Sequence, residues 1–167
     1  MLAPLLSFTA EEIWQEMRSL DPSLAESVFL TDFPTADRAR VDDGLDALWE
    51  NALTLRGAVS RMLEGLRADK TIGTSLEAAV QVKRSRITDL AMEGFTPQEL
   101  ADVCIVSRFD FVDELTLPRR FEDAETGIEA AGGFTEGAKC PRCWKYSDAA
   151  DGEGLCPRCA AVLREMD

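Results

Sequence analysis

The chain contains no histidine, and that absence removes a large part of enzymology. There can be no Ser-His-Asp or Cys-His nucleophilic pair, no histidine general base and no histidine-liganded zinc hydrolase site. The 31 Asp and Glu residues are scattered, and no pair stands out for acid–base work. Long apolar runs are also missing: nothing approaches the roughly 18 consecutive residues of a membrane span. The opening Met1–Phe8 is apolar but lacks a basic flank, and Glu11 and Glu12 follow, which makes a poor signal peptide. The expected location is therefore the cytoplasm, where cysteines are reduced thiols or metal ligands rather than disulfides.

Positive charge is the next scarcity. Eighteen Lys and Arg leave a net charge of −13, which argues against a broad, nonspecific nucleic-acid binder. The deficit is uneven. Residues 1–52 carry 3 basic and 11 acidic side chains, residues 91–135 carry 3 and 10, and residues 136–167 carry 5 and 6. Residues 53–90 alone are positive, with 7 basic and 4 acidic. What is plentiful is apolar side chain, 46% beside 29% charged, enough for a soluble globular chain of one or two domains.

Thr9 followed by Glu12 fits a capping box opening a first helix, with Ile13, Trp14 and Met17 starting its apolar face. Leu20-Asp-Pro-Ser23 breaks it, and Glu26–Pro34 reads as extended. Leu48, Ala52, Leu55, Val59, Met62 and Leu66 then fall on one stripe of a long helix from about Asp42 to Lys70, with Gly73 as its stop. Such a stripe must pack on other helices, and a partner preceding Met1 in a longer chain is expected. After Gly73, Leu76–Val82 reads as a strand, Thr96–Asp102 as a short capped helix, Val103–Val112 as β-rich, and Gly127–Ala131 as a further strand. Cys104, among Val103, Ile105 and Val106, reads as a buried apolar residue. The expected fold class is α+β: residues 1–73 helical, 74–135 a small α/β junction unit, 136–167 a metal-binding unit.

Cys140-Pro-Arg-Cys143 and Cys156-Pro-Arg-Cys159 are two copies of one turn, separated by 12 residues. Each aims two thiolates at one point, and the Gly152–Gly154 loop lets the copies face each other. Four thiolates make a closed, structural zinc site with no open position for substrate, so one zinc per chain is expected. Disulfides, a redox thiol pair and a rubredoxin-type iron are the competing readings; the last usually has glycine after each knuckle, where Trp144 and Ala160 stand. Arg142 and Arg158 either offset the −2 charge of the zinc–thiolate cluster or contact phosphate. Gly132 to Gly137 has Walker A spacing, but Ala138 occupies the lysine position, so it is no phosphate loop.

Leu2-Ala-Pro-Leu-Leu-Ser-Phe-Thr-Ala-Glu-Glu-Ile-Trp14, Ser27-Val-Phe-Leu-Thr31, Ile72-Gly-Thr-Ser-Leu-Glu-Ala78 and Lys139-Cys-Pro-Arg-Cys-Trp144 resemble, in family order, the C-terminal end of bacterial isoleucyl-tRNA synthetases. The resemblance implies the end of an anticodon-binding helical bundle, a small junction and a C-terminal zinc unit, binding the tRNA for isoleucine beside the remainder of the synthetase chain. It also implies that ATP and isoleucine bind in a catalytic domain whose histidine-containing signature and lysine-rich loop are missing here, so this chain is expected to be non-catalytic. A similar zinc finger closes formamidopyrimidine-DNA glycosylases, but their N-terminal proline–glutamate pair is absent, and no stable DNA partner is expected. A stand-alone zinc-stabilised interaction module is the third reading.

Candidate RNA contacts fall in two places. At about 100° per residue, Arg56, Arg67 and Lys70 lie within about 60° of one another on the long helix; the alternative is a solvated helix edge. Trp144 and Tyr146 flank Lys145 after the first knuckle, a pattern suited to stacking and neutralising a single-stranded loop; the alternative is that Trp144 is the miniature core of the zinc unit. Residues 53–90 and the zinc unit, with Arg142 and Arg158, are expected to face the tRNA, and residues 1–52 and 91–135 to face away.

Overall fold

A computed structural model describes residues 1–166 and divides the chain into two compact units, the first Met1–Val41 and the second running from Asp42. In the first, α1 (Ser7–Leu20) is followed by 3-10 turns at Val28–Leu30 and Arg38–Arg40. Thr9 is not its cap. The helix opens three residues earlier, at Ser7 after Leu6, with no side-chain cap. Polar staples close this unit: Trp14 Nε1 donates to the Ala25 carbonyl at 2.8 Å, and Glu11 accepts from Ser27 Oγ and Val28 N at 2.8 and 3.1 Å. Most of its large apolar side chains stay exposed, Phe8 at 94%.

The second unit is built on α2 (Asp43–Ala68), capped by Asp42, whose carboxylate accepts from Leu45 N at 3.0 Å. The expected stripe is buried from Ala52 to Leu66, widened by Ala58 and Leu63. Within the described residues its partners are helices and sheet together. α2 packs on α3 (Arg86–Met92), α4 (Pro97–Cys104) and the sheet strand β4 (Glu129–Phe134). The expected division at residue 73 therefore does not separate packed bodies.

The sheet runs β2-β1-β4-β3, with β1 at Ala78–Lys83, β2 at Arg108–Val112 and β3 at Arg119–Glu122. β1 pairs parallel with β2 through α3 and α4, and antiparallel with β4. The short helix is capped as expected: Thr96 and Glu99 form the reciprocal box, and Pro97 opens the first turn. The apolar run after it is not strand. Cys104 ends the helix, Ile105 takes a left-handed conformation (φ 58°), and only from Arg108 does the chain extend. β4 runs straight through Gly132-Gly133. The reason is close approach, since a Cβ on Gly132 would lie 2.8 Å from Leu66 Cδ1 and 2.9 Å from Met62 Cε. The core joins these faces around Leu55, Met62, Leu66, Val80, Val82, Leu100 and Ile128.

One polar lock ties α2 to the β3–β4 turn. Buried Asp123 receives Arg61 Nε at 2.6 Å and Nη2 at 2.9 Å, and Thr126 donates to the same carboxylate. Arg61 beside it holds the Asp123 carboxyl at about 2, against an ordinary 3.8. Together with Lys83–Glu129 at 2.8 Å, this pairs cations of residues 53–90 with acids of 91–135. The charge segregation along the chain therefore does not become two opposite faces: β1 lies between β2 and β4, and the stretch at 91–135 packs beside the positive one rather than facing away.

Candidate metal centre and its surroundings

The first knuckle hangs on a two-stranded ribbon, β5 (Ala138–Lys139) against β6 (Tyr146–Ser147). Between them Trp144 N donates to the Cys140 carbonyl and Cys140 N to the Lys145 carbonyl, both at 2.9 Å. The second knuckle is the start of α5 (Pro157–Met166): Pro157 suits the first helical position, and Cys159 sits in the first turn. Asp151 shapes the loop between them, accepting from Glu153 N and Leu155 N at 2.9 Å, and Gly154 turns it with φ 79°.

These elements bring the sulfurs of Cys140, Cys143, Cys156 and Cys159 within 4.8 Å of one another. Cys143 Sγ and Cys156 Sγ are 3.6 Å apart and all four cysteines are free thiols. Four sulfurs at the usual zinc–thiolate bond length would be spaced by about 3.8 Å, so the cluster fits a tetrahedral zinc and not a pair of disulfides. Its protonation chemistry agrees. Burial raises the Cys140 thiol, but the amides of Cys156, Cys143 and Arg142 outweigh it and bring it down to about 6. Burial and the neighbouring thiols push Cys159 up to about 12, and burial raises Cys143. A divalent cation would offset the burial that opposes the thiolate form at Cys143 and Cys159. Cys104 is elsewhere, buried in the main core with its thiol pushed up to about 12 by burial, and so stays protonated.

The candidate RNA contacts meet mixed fates. Arg56, Arg142 and Arg158 are exposed and make no ion pair among the described residues. Arg142 Nη1 reaches only the Cys159 carbonyl, at 3.5 Å. Arg67 is engaged by Glu64 at 2.6 Å and by Ser75. Lys70 has left the helix: α2 ends at Ala68 and Lys70 is left-handed (φ 58°), so the shared helical edge does not extend to it. Trp144 is 62% exposed, and the cluster around the thiols is filled by Leu155 and Ala160 instead. The miniature-core reading of Trp144 therefore fails. Its φ of 64° puts a bulky residue where glycine is usual, a strained conformation. Lys145 is only 18% exposed and paired with Asp102, and the Tyr146 ring packs edge-on against Phe134 at 5.6 Å. Asp102, Ser107, Arg108 and Asp148, which hold this ribbon, carry no motif in the sequence.

Two family models match. One, the anticodon-binding domain of tRNA ligases, covers residues 1–82; the other, a zinc finger found in FPG and IleRS, covers residues 137–162. The chain is 38% identical to an isoleucine–tRNA ligase of Natranaerobius thermophilus over 174 aligned positions, 35% to one of Geobacter sulfurreducens over 168, and 34% to one of Staphylococcus saprophyticus over 170. Each alignment covers 98–99% of this chain and 18% of the relative.

Proposed function

Since the chain belongs to the isoleucine–tRNA ligases, matching the C-terminal 18% of their length, we propose that it is the tRNA-binding, anticodon-side region of such an enzyme, stabilised by one zinc on Cys140, Cys143, Cys156 and Cys159. The observation that carries this reading is the continuous likeness along 98% of the chain, with the anticodon-binding and zinc-finger models in order. The match at 1–82 favours the ligase over a DNA glycosylase, with which the zinc finger alone is shared.

Cys140, Cys143, Cys156 and Cys159 would hold the zinc across the two knuckles, and with four thiolates it would serve structure and leave no position for chemistry. Around it Trp144 offers an exposed aromatic ring, and Arg142 and Arg158 offer guanidinium groups with no carboxylate partner among the described residues. Exposed rings and cations on one unit are the groups that stack an unpaired base and neutralise its phosphates. Arg56 adds a cation on α2. ATP and isoleucine would be handled by the preceding catalytic domain, and this chain alone is expected to show no ATP–pyrophosphate exchange.

The test is made in the full-length ligase. Arg142→Ala and Arg158→Ala should weaken tRNA binding and each flatten its salt dependence by about one phosphate contact. Trp144→Ala should weaken it with zinc still bound. Unchanged affinity and salt slope in all three would reduce this region to structural support.

A further inference from the structure

We propose that Asp102, Ser107 and Asp148 are positioning residues for tRNA binding: they clip the zinc unit onto the corner between α4 and β2, so that Trp144 is presented in one orientation. This rests on the reading that Trp144 meets the RNA.

The attachments follow one another along a short stretch. Lys145 Nζ pairs with the Asp102 carboxylate at the end of α4. Tyr146 N donates to Ser107 Oγ at 2.8 Å. Asp148 pairs with Arg108 at the start of β2. Ser107 is itself anchored twice, its hydroxyl donating to the Leu76 carbonyl at 2.5 Å and its amide to Ala78 at 3.2 Å. One hydroxyl thus joins the sheet to the zinc unit. On the other side, Trp144 N and the Lys145 carbonyl are tied to Cys140. Trp144 is therefore the residue between the knuckle and the clip, and its free ring is carried by backbone held at both ends.

The charges make the same point by their sign. Asp102 and Asp148 bring negative charge close to where phosphates would approach, on a chain already at −13. Repulsion alone would favour losing them. Each exposed ion pair is individually weak, but together they bracket a backbone hydrogen bond and an aromatic contact. Lys145, 18% exposed, serves the clip and is not free for a phosphate.

The experiment uses the full-length ligase and its isoleucine tRNA. In Asp102→Asn/Asp148→Asn, removal of two negative charges should tighten RNA binding if electrostatics alone acts. The clip instead requires about tenfold weaker binding, an unchanged salt slope because no phosphate contact is lost, unchanged zinc content and faster hydrogen exchange at the Tyr146 amide. Ser107→Ala should do the same, and Ser107→Thr should restore both. Equal or tighter binding despite faster Tyr146 exchange would overturn the positioning role. Unchanged exchange in both variants would overturn the clip. If Trp144→Ala leaves tRNA affinity untouched, the contact reading itself fails, while Tyr146 exchange still reports on the clip.

Discussion

The α/β body and the zinc unit are folded by different means. The body buries a continuous cluster of nineteen residues, from Ala52 on α2 to Ala130 on β4. The zinc unit buries three of its four cysteines with one leucine, Leu155, and half-buries Cys143 and Ala160 around them. A cluster that small cannot offset the entropy of ordering about thirty residues. Apolar area holds the first region, and the second depends on metal coordination. The two should therefore come apart under different stresses.

The largest effect is expected on removing the metal. Structural zinc contributes apparent folding free energies of about 10–16 kcal/mol, all of it to one region. A strong chelator, or Cys156→Ser, should melt residues 136–166 and leave the sheet and α2 intact. Residue-resolved hydrogen exchange checks this, and simultaneous loss of both regions would show that the body leans on the metal too. The converse is Leu66→Ala, which empties a buried site against Gly132 and should cost about 2–5 kcal/mol of body stability, measured by denaturant unfolding, with zinc content unchanged.

Binding separates them next. Trp144→Ala should cost about 1–3 kcal/mol of tRNA affinity if its ring stacks on a base. Trp144→Gly should lose the same affinity yet relieve roughly 1 kcal/mol of left-handed strain, seen as slower zinc release to a competing chelator. A ring whose loss loosened zinc instead would belong to the unit's packing.

Acid draws the finest line. Protons compete with metal for the thiolates, so the zinc unit should go first as pH falls. Asp123 acts lower and with a definite sign. Its carboxyl is depressed in the folded state, so its contribution is complete above the ordinary 3.8 and is lost as pH falls from there through about 2. Asp123→Asn should flatten the body's acid unfolding in that window.

What could be read from the residues divides along similar lines. The α2 stripe was legible because a 26-residue helix repeats its pattern many times. Its partners were not, because a helix face looks alike whether it meets helices or a sheet. Thr96–Glu99 declared itself as a cap, whereas Thr9–Glu12 had the same letters and no such role. β3, Arg-Arg-Phe-Glu at the sheet edge, alternates half-buried with exposed positions and has too little apolar content to be seen. The paired knuckles were plain from spacing alone. The exposure of Trp144 and its left-handed backbone were not, since no neighbouring residue type announces them.

The central position of β1 bears on how such a region can be exchanged between enzymes. The anticodon-binding model ends at residue 82, inside the strand that pairs with both β2 and β4. A recombinant joined there would inherit Val80 and Val82 from one parent and their strand neighbours Phe109, Phe111, Ala130 and Gly132 from the other. Crossovers at that seam should yield insoluble chimeras unless both parents agree at these positions. Joins near residue 42, where one compact unit gives way to the next, leave every strand with its own partners.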